Sequence, residues 1–130
     1  DAPTSRLHIG GDVNVTGDIS LSEGGGIERP VTGSFNLLPV CYGRVSYMAT
    51  SYTGTPNVTV SRLSQGVYEI TCPQFTSTTT IVLTMNQYQG GYYAYPNVEN
   101  WPTGSDKYRV TFNVIASGPA DAGFSFIAYQ

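Results

Sequence analysis

The sequence has few charged residues and no long apolar run. Charged side chains make up 12% of the 130 residues and the net charge is -3, so neither nucleic acid nor an anionic membrane surface is an expected partner. No segment approaches the roughly 18 consecutive apolar residues of a membrane helix, so we expect no membrane insertion by this chain. No window of ten residues keeps apolar side chains at spacings of three and four, which argues against helices.

Cysteine and histidine are also scarce. Cys41 and Cys72 are too few for a disulfide framework and lack the companion ligands of a zinc site. Both lie in apolar strand contexts and are interpreted as small core residues; a disulfide between facing strands is the alternative. His8 is the only histidine and lies far in sequence from any obvious nucleophile. With scattered carboxylates and no nucleophile or phosphate-binding motif, we expect no enzymatic activity, no catalytic residue and no cofactor.

The segment 57–72 carries the clearest local signal. Valines alternate with polar residues in its first half, and the apolar parity resumes in its second half with Tyr68, Ile70 and Cys72. Ser64-Gln65-Gly66 lies between the halves, and glycine can take the positive φ of a tight turn. The sequence therefore predicts a β-hairpin with one buried and one solvated face.

Similar short segments recur from Val31 onwards at intervals of about 8–14 residues, a rhythm typical of a β-sandwich or jelly roll. The last segment has apolar side chains on both faces, which predicts a central strand or one covered by another subunit. The predicted class is all-β. Strands are predicted near residues 32–38, 42–50, 57–63, 66–72, 79–86, 107–116 and 123–130.

Residues 1–30 differ in style from the rest. Apolar and polar residues alternate over 12–21, and a single strand this short cannot bury its apolar face alone. Two identical neighbouring chains would supply the partners, and Gly24-Gly25-Gly26 forms a flexible joint. We therefore expect residues 1–30 to assemble with two identical chains and 31–130 to form a separate domain; the resemblance described below implies that these are the end of a trimeric β-shaft and a knob. Because the first residue is Asp1, we expect a processed chain or a piece of a longer one.

Two short motifs in the chain have competing interpretations. Asp12–Glu23 is close to the calcium loop of an EF-hand, but the flanking helices are missing. An alternating strand explains the same residues, so no metal site is expected. Asn14-Val15-Thr16 and Asn57-Val58-Thr59 fit the N-glycosylation pattern, which a solvated strand face also produces. We favour the strand interpretation for both.

Between residues 87 and 106 the alternation stops, and we predict a long loop. It contains four tyrosines and the only tryptophan, and its aromatic content argues against disorder. Tyrosine and tryptophan suit interfaces and stacking against sugar rings. Alternatively, these side chains cap one end of the sandwich or pack between subunits. The candidate ligand-binding residues are Tyr88, Tyr92, Tyr93, Tyr95 and Trp101.

Several phrases of the sequence together resemble the C-terminal end of bacteriophage tail fibres and tail needles. They are GDVNVTGDIS in the N-terminal part, VCYGRVSY, then NVTVSR followed by GVYEIT, and finally YRVTFNV and GFSFIAYQ. In that family a trimeric shaft ends in a knob of three β-sandwich or jelly-roll domains, similar in plan to tumour-necrosis-factor and adenovirus knobs. No receptor-binding residue can be carried over, because no binding motif of the family is matched.

The resemblance implies a homotrimeric virion tip that contacts the host envelope through the exposed end of the knob. Its partners would be its own copies and a bacterial cell-surface glycan or envelope protein. Two other interpretations remain open: a monomeric secreted carbohydrate-binding β-sandwich, and a purely structural virion protein without a ligand. The sequence does not separate a tail needle from a lateral fibre.

Overall fold

A computed structural model describes residues 10–21, 27, 38–88, 94–115 and 117–130. Within these residues there is no helix, and therefore none long and apolar enough to cross a membrane. The strands are β1 (Cys41–Val45), β2 (Tyr52–Gly54), β3 (Thr59–Ser64), β4 (Val67–Thr71), β5 (Thr80–Tyr88), β6 (Ala94–Asn100), β7 (Lys107–Val114), β8 (Gly118–Pro119) and β9 (Ala122–Tyr129). The all-β prediction is confirmed.

The strands form two antiparallel sheets, as expected of a β-sandwich. The front sheet has the order β2-β1-β9-β5, and the back sheet has the order β3-β4-β7-β6 with β8 beside β7. Along β7 the burial alternates strictly, with Tyr108, Val110, Phe112 and Val114 facing inwards. This is the period of a strand with one face against a core.

Aromatic side chains from both sheets meet at the centre of the core. The Phe124 ring of the front sheet lies 5.2 Å from the Tyr68 ring and 5.4 Å from the Phe112 ring, both in the back sheet. All three side chains are fully buried, and burying each contributes roughly 1.5–3 kcal/mol. Phe124 belongs to β9, which pairs with β1 on one side and β5 on the other. The prediction that the last strand is central is confirmed.

The predicted hairpin is confirmed as β3 and β4. Gly66 turns the chain with a φ of 71°, a conformation that favours glycine. A Cβ at this position would lie 2.5 Å from the Ala120 nitrogen and 2.8 Å from the Phe112 oxygen. The Gly66 carbonyl also accepts the Phe112 N–H at 2.8 Å. The turn therefore needs glycine both for its conformation and for its close approach to neighbouring backbone.

The predicted strand over 42–50 is too long. β1 ends at Val45, and the Ser46 N–H donates to the Ser51 carbonyl at 3.0 Å. Within this turn Ala49 has a φ of 53°, and the chain returns as the short strand β2, which was not predicted. The predicted strand at 32–38 lies outside the described residues except for Leu38, which is in no strand.

The prediction of a continuous loop over 87–106 is wrong in part. β5 continues to Tyr88, and residues 94–100 form β6, which pairs with β7 along its whole length. Pro96 interrupted the sequence pattern because proline lacks the N–H of an interior ladder, but β6 is the last strand of its sheet order. Edge strands tolerate proline.

The structure of the single chain does not test the predicted N-terminal shaft. Residues 10–21 are all exposed and form no strand in the single chain. A shaft strand requires neighbouring chains, and the proposed boundary near residue 30 falls outside the described residues. The motif Asp12–Glu23 likewise extends beyond them.

Both cysteines lie in the core and are not bridged. Cys41 and Cys72 are fully buried and carry free thiols, so their interpretation as small core residues is confirmed. Burial raises the pKa of the Cys41 thiol, and the neighbouring Cys72 side chain adds to the shift.

Asn57, the asparagine of the second glycosylation pattern, donates its side-chain amide to the Val40 carbonyl at 3.2 Å and to Gln74 Oε1 at 2.8 Å.

A partly buried ion pair links the two sheets at one end. Asp121, just before β9, accepts two hydrogen bonds of 2.8 Å from Arg62 on β3 and a third of 2.8 Å from the Gly66 N–H. The Tyr68 hydroxyl lies 3.2 Å from the same carboxylate. Hydrogen bonding from Arg62 is the largest cause that lowers the pKa of Asp121, and burial raises the pKa of Tyr68 to about 12.

We expect Asp121→Asn to lower the free energy of unfolding by about 1–3 kcal/mol at pH 7, because charge-assisted hydrogen bonds are lost. Because folding lowers the pKa of Asp121, this stabilisation is complete above the pKa of Asp121 in the unfolded chain, about 4. It is lost as the pH falls through the lower pKa of Asp121 in the folded chain. Urea unfolding at a series of pH values measures both effects.

The control for this prediction is Asp106→Asn, which makes the same change at an exposed position. It should unfold like the wild type at every pH. An Asp121→Asn variant as stable as the wild type at pH 7, or one whose deficit persists unchanged in acid, would contradict the assigned role of the ion pair.

Candidate binding face on the back sheet

The structure separates the predicted aromatic residues. Tyr88 is the last residue of β5 in the front sheet, whereas Tyr95 is the second residue of β6 in the back sheet and Trp101 directly follows that strand. Tyr92 and Tyr93 are outside the described residues. Tyr95 and Trp101 are 52% and 50% exposed. The aromatic positions that the structure describes therefore do not form one compact cluster.

Tyr95 and Trp101 nevertheless share one face. Trp101 directly follows β6 and is six positions from Tyr95, an even spacing that places both side chains on the outer side of the back sheet, about 20 Å apart. Asn97 and Glu99 lie between them and are exposed. We call this surface, formed by the outward side chains of β6 and β7 and by Trp101, the β6 face. It is an extended surface with an aromatic side chain at each end.

Arg109 forms a cation–π contact with Trp101. Its guanidinium carbon lies 5.0 Å from the centre of the indole ring, a cation–π distance. Across the sheet Arg109 is in register with Glu99 on one side and Glu69 on the other. Acidic residues therefore occupy both neighbouring register positions, and the guanidinium lies against the indole ring.

A second cation lies at the same end of the β6 face. Lys107 Nζ is 2.9 Å from Glu69 Oε1, and this hydrogen bond raises the pKa of Lys107. The pair is solvent-accessible, so its contribution to stability is small. Its effect is to give the surface beside Trp101 alternating charges of both signs.

Asn100 holds the loop that carries Trp101. Its amide nitrogen donates to the Ser105 carbonyl at 3.0 Å and to the Lys107 carbonyl at 2.8 Å, and its amide oxygen accepts the Gly104 N–H. The backbone N–H of Trp101 donates to the Lys107 carbonyl at 3.2 Å. The exposed indole is therefore presented on a short segment with several fixed hydrogen bonds.

This arrangement suits the recognition of a polar, extended ligand. An exposed indole offers a flat apolar surface for the carbon face of a sugar ring, and the neighbouring charged and amide groups can hydrogen-bond to hydroxyls. Among the residues that the structure describes, no group of three His, Cys, Asp or Glu side chains is placed to hold a metal ion.

Sequence reasoning named Tyr95 and Trp101 as candidates, a prediction that stays untested, and it did not name the residues that contact or position Trp101. Arg109 and Asn100 carry no motif, and their partners are brought close only by the pairing of β6 with β7. One signal was present: positions 95, 97, 99 and 101 keep the period of two that places them on one strand face. Pro96 and the asparagines obscured it.

No family model, curated protein or solved structure matches the chain.

Proposed function

We propose that this chain is the distal tip of a bacteriophage tail fibre or tail needle. In the proposal three copies assemble through the front sheet, and the knob contacts the host cell envelope. The observation that carries the proposal is a row of exposed apolar side chains across the outer side of the front sheet. The resemblance of the sequence to the ends of phage fibres supports the same interpretation.

The apolar row consists of Tyr42, Ile127 and Val82, on three neighbouring strands. Ile127 is the register partner of Tyr42 on β1 and of Val82 on β5. The three side chains are 51%, 41% and 56% exposed, respectively. Single exposed apolar residues are ordinary, but a continuous strip across a sheet marks an interaction surface. Covering it with a second copy would remove this area from water.

The N-terminal segment favours copies of the same chain as the occupant of this surface. Within residues 10–21 the apolar side chains are all exposed, and they alternate with polar residues as in a strand that lacks neighbours. Identical chains supply partners to the N-terminal segment and to the front sheet at the same time. The exposed apolar residues of the segment are Val13, Val15, Ile19 and Leu21.

We further infer that the sandwich is a jelly roll. β1 and β9, the first and last of the described strands, pair at the centre of the front sheet. The connections β2–β3, β4–β5, β5–β6 and β8–β9 each pass from one sheet to the other. Repeated crossing between sheets is typical of the interleaved Greek keys of that fold.

The β6 face is the proposed contact with the host. It lies on the opposite side of the sandwich from the apolar row, so assembly through the front sheet leaves it on the outside. Trp101 is held on a fixed loop beside Arg109, and exposed tryptophan and arginine are frequent anchors of binding surfaces. A cell-surface glycan or an envelope protein with polar groups would suit this surface.

The Trp101–Arg109 pair also favours a second candidate, a monomeric secreted carbohydrate-binding β-sandwich. That alternative uses the same β6 face but needs no assembly. A purely structural virion tip would keep the assembly and lack the ligand. Measurements of assembly and of adsorption to bacterial envelopes separate these three functions.

The first experiment measures assembly. We expect sedimentation velocity to give a mass of three chains for the wild type and of one chain for Ile127→Arg, because a charge cannot be buried in an apolar contact without a partner. Ile115→Arg is the matched control, since Ile115 is 75% exposed and lies outside the apolar row. It should remain trimeric. A wild type of one chain, or an unchanged mass for Ile127→Arg, would refute assembly through this surface.

The second experiment measures host contact by co-sedimentation with envelopes from a panel of bacteria. We expect Trp101→Ala to weaken adsorption by about tenfold or more, whereas the exposed Met48→Ala adsorbs like the wild type. Adsorption by a monomeric wild type would favour the carbohydrate-binding module. A trimer that adsorbs to none of the envelopes would favour the structural tip, and full adsorption by Trp101→Ala would show that Trp101 is not the anchor.

A further inference from the structure

A second, smaller site lies on the front sheet near the turn between β1 and β2. A cavity of about 250 Å³ opens there, with polar side chains from three chain segments around it. None of the described residues that line it is acidic. Its polar and glycine lining residues are Arg44, Ser46, Ser51, Thr53, Asn86 and Gly123.

Arg44 differs from the other described cations in its surroundings. Arg62 is paired with Asp121 and Lys107 with Glu69, and Arg109 stacks on an indole. Arg44 forms no ion pair among the residues that the structure describes, and it is exposed. Its register partners are Thr53 on β2 and Ser125 on β9, which are uncharged. Among the described residues, therefore, no carboxylate competes with an external anion for the guanidinium.

The remaining groups around the cavity suit hydroxyls. Asn86 donates one amide hydrogen to the Ser125 hydroxyl at 2.6 Å, which fixes the amide and leaves its carbonyl oxygen and second N–H. The Ser46 hydroxyl accepts the Ser51 N–H at 3.0 Å, so its position is also fixed. One cation surrounded by oriented amide and hydroxyl groups matches a ligand that carries one carboxylate and several hydroxyls.

We propose that this cavity binds an acidic sugar residue, with Arg44 holding its carboxylate and Asn86 and the serines contacting its hydroxyls. The proposal rests on the proposed function for the source of the ligand, a host-surface polysaccharide. The cavity is one outward-facing row away from Tyr42, Ile127 and Val82, about 7 Å along the strands. It therefore lies at the margin of the apolar row.

Isothermal titration calorimetry with sodium glucuronate tests the site, with glucose, acetate and inorganic phosphate as comparison probes. We expect glucuronate to bind the wild type, and the three comparison probes to bind at least about tenfold more weakly. Arg44→Gln should lose about tenfold or more in affinity, and Arg44→Lys should lose part of it because an ammonium lacks the planar fork. Ile115→Gln, at an exposed position outside both the cavity and the β6 face, should bind like the wild type.

Two outcomes would overturn the proposal. Acetate or phosphate binding as tightly as glucuronate would show a simple anion site, and Arg44→Gln binding like the wild type would remove Arg44 from it. Asn86→Ala provides a second check that keeps the cation, and it should weaken glucuronate without affecting acetate. Light scattering on the same samples reports assembly separately, so a failed sugar site and a failed trimer give different results.

Discussion

The packing of Phe124 against Tyr68 and Phe112 is the contact on which the rest of the structure depends. It joins the centre of the front sheet to the centre of the back sheet, with ring separations of 5.2 and 5.4 Å. Because the inner faces are closed on each other, every outward side chain must lie on one of two opposite surfaces. The distribution of function over this chain follows from that division.

The two outer surfaces have different chemistry. The front sheet presents the apolar row and, one row away, a cavity whose arginine has no acidic neighbour among the described lining residues. The back sheet presents Tyr95, Trp101 and a set of paired charges. An apolar strip suits a permanent contact between copies, whereas aromatic groups among paired charges suit a ligand that binds and leaves. This difference is the basis for proposing assembly through the front sheet and recognition mainly through the back sheet.

The sequence predicted the fold correctly where the pattern within one segment determines the structure. The hairpin at Gly66 and the central position of β9 follow from alternation and turn chemistry. β6 was missed because Pro96 is compatible with a strand only at a sheet edge, a property of the assembled sheet. The partners of Trp101 were missed for a related reason, since Arg109 reaches the indole through strand pairing. No sequence motif marks Arg44; only the folded structure shows that Arg62, Lys107 and Arg109 have charged or aromatic partners and that Arg44 has none among the described residues.

Hydroxyl-radical footprinting of the wild-type chain in solution tests the division into two surfaces most directly. Tyr42 and Tyr95 form a matched pair, because they are 51% and 52% exposed in the single chain and lie on opposite sheets. The account predicts that Tyr42 is oxidised several-fold more slowly than Tyr95, and that Ile127 is protected together with Tyr42. Equal oxidation of the two tyrosines would show that the front sheet is uncovered in solution and would contradict the account.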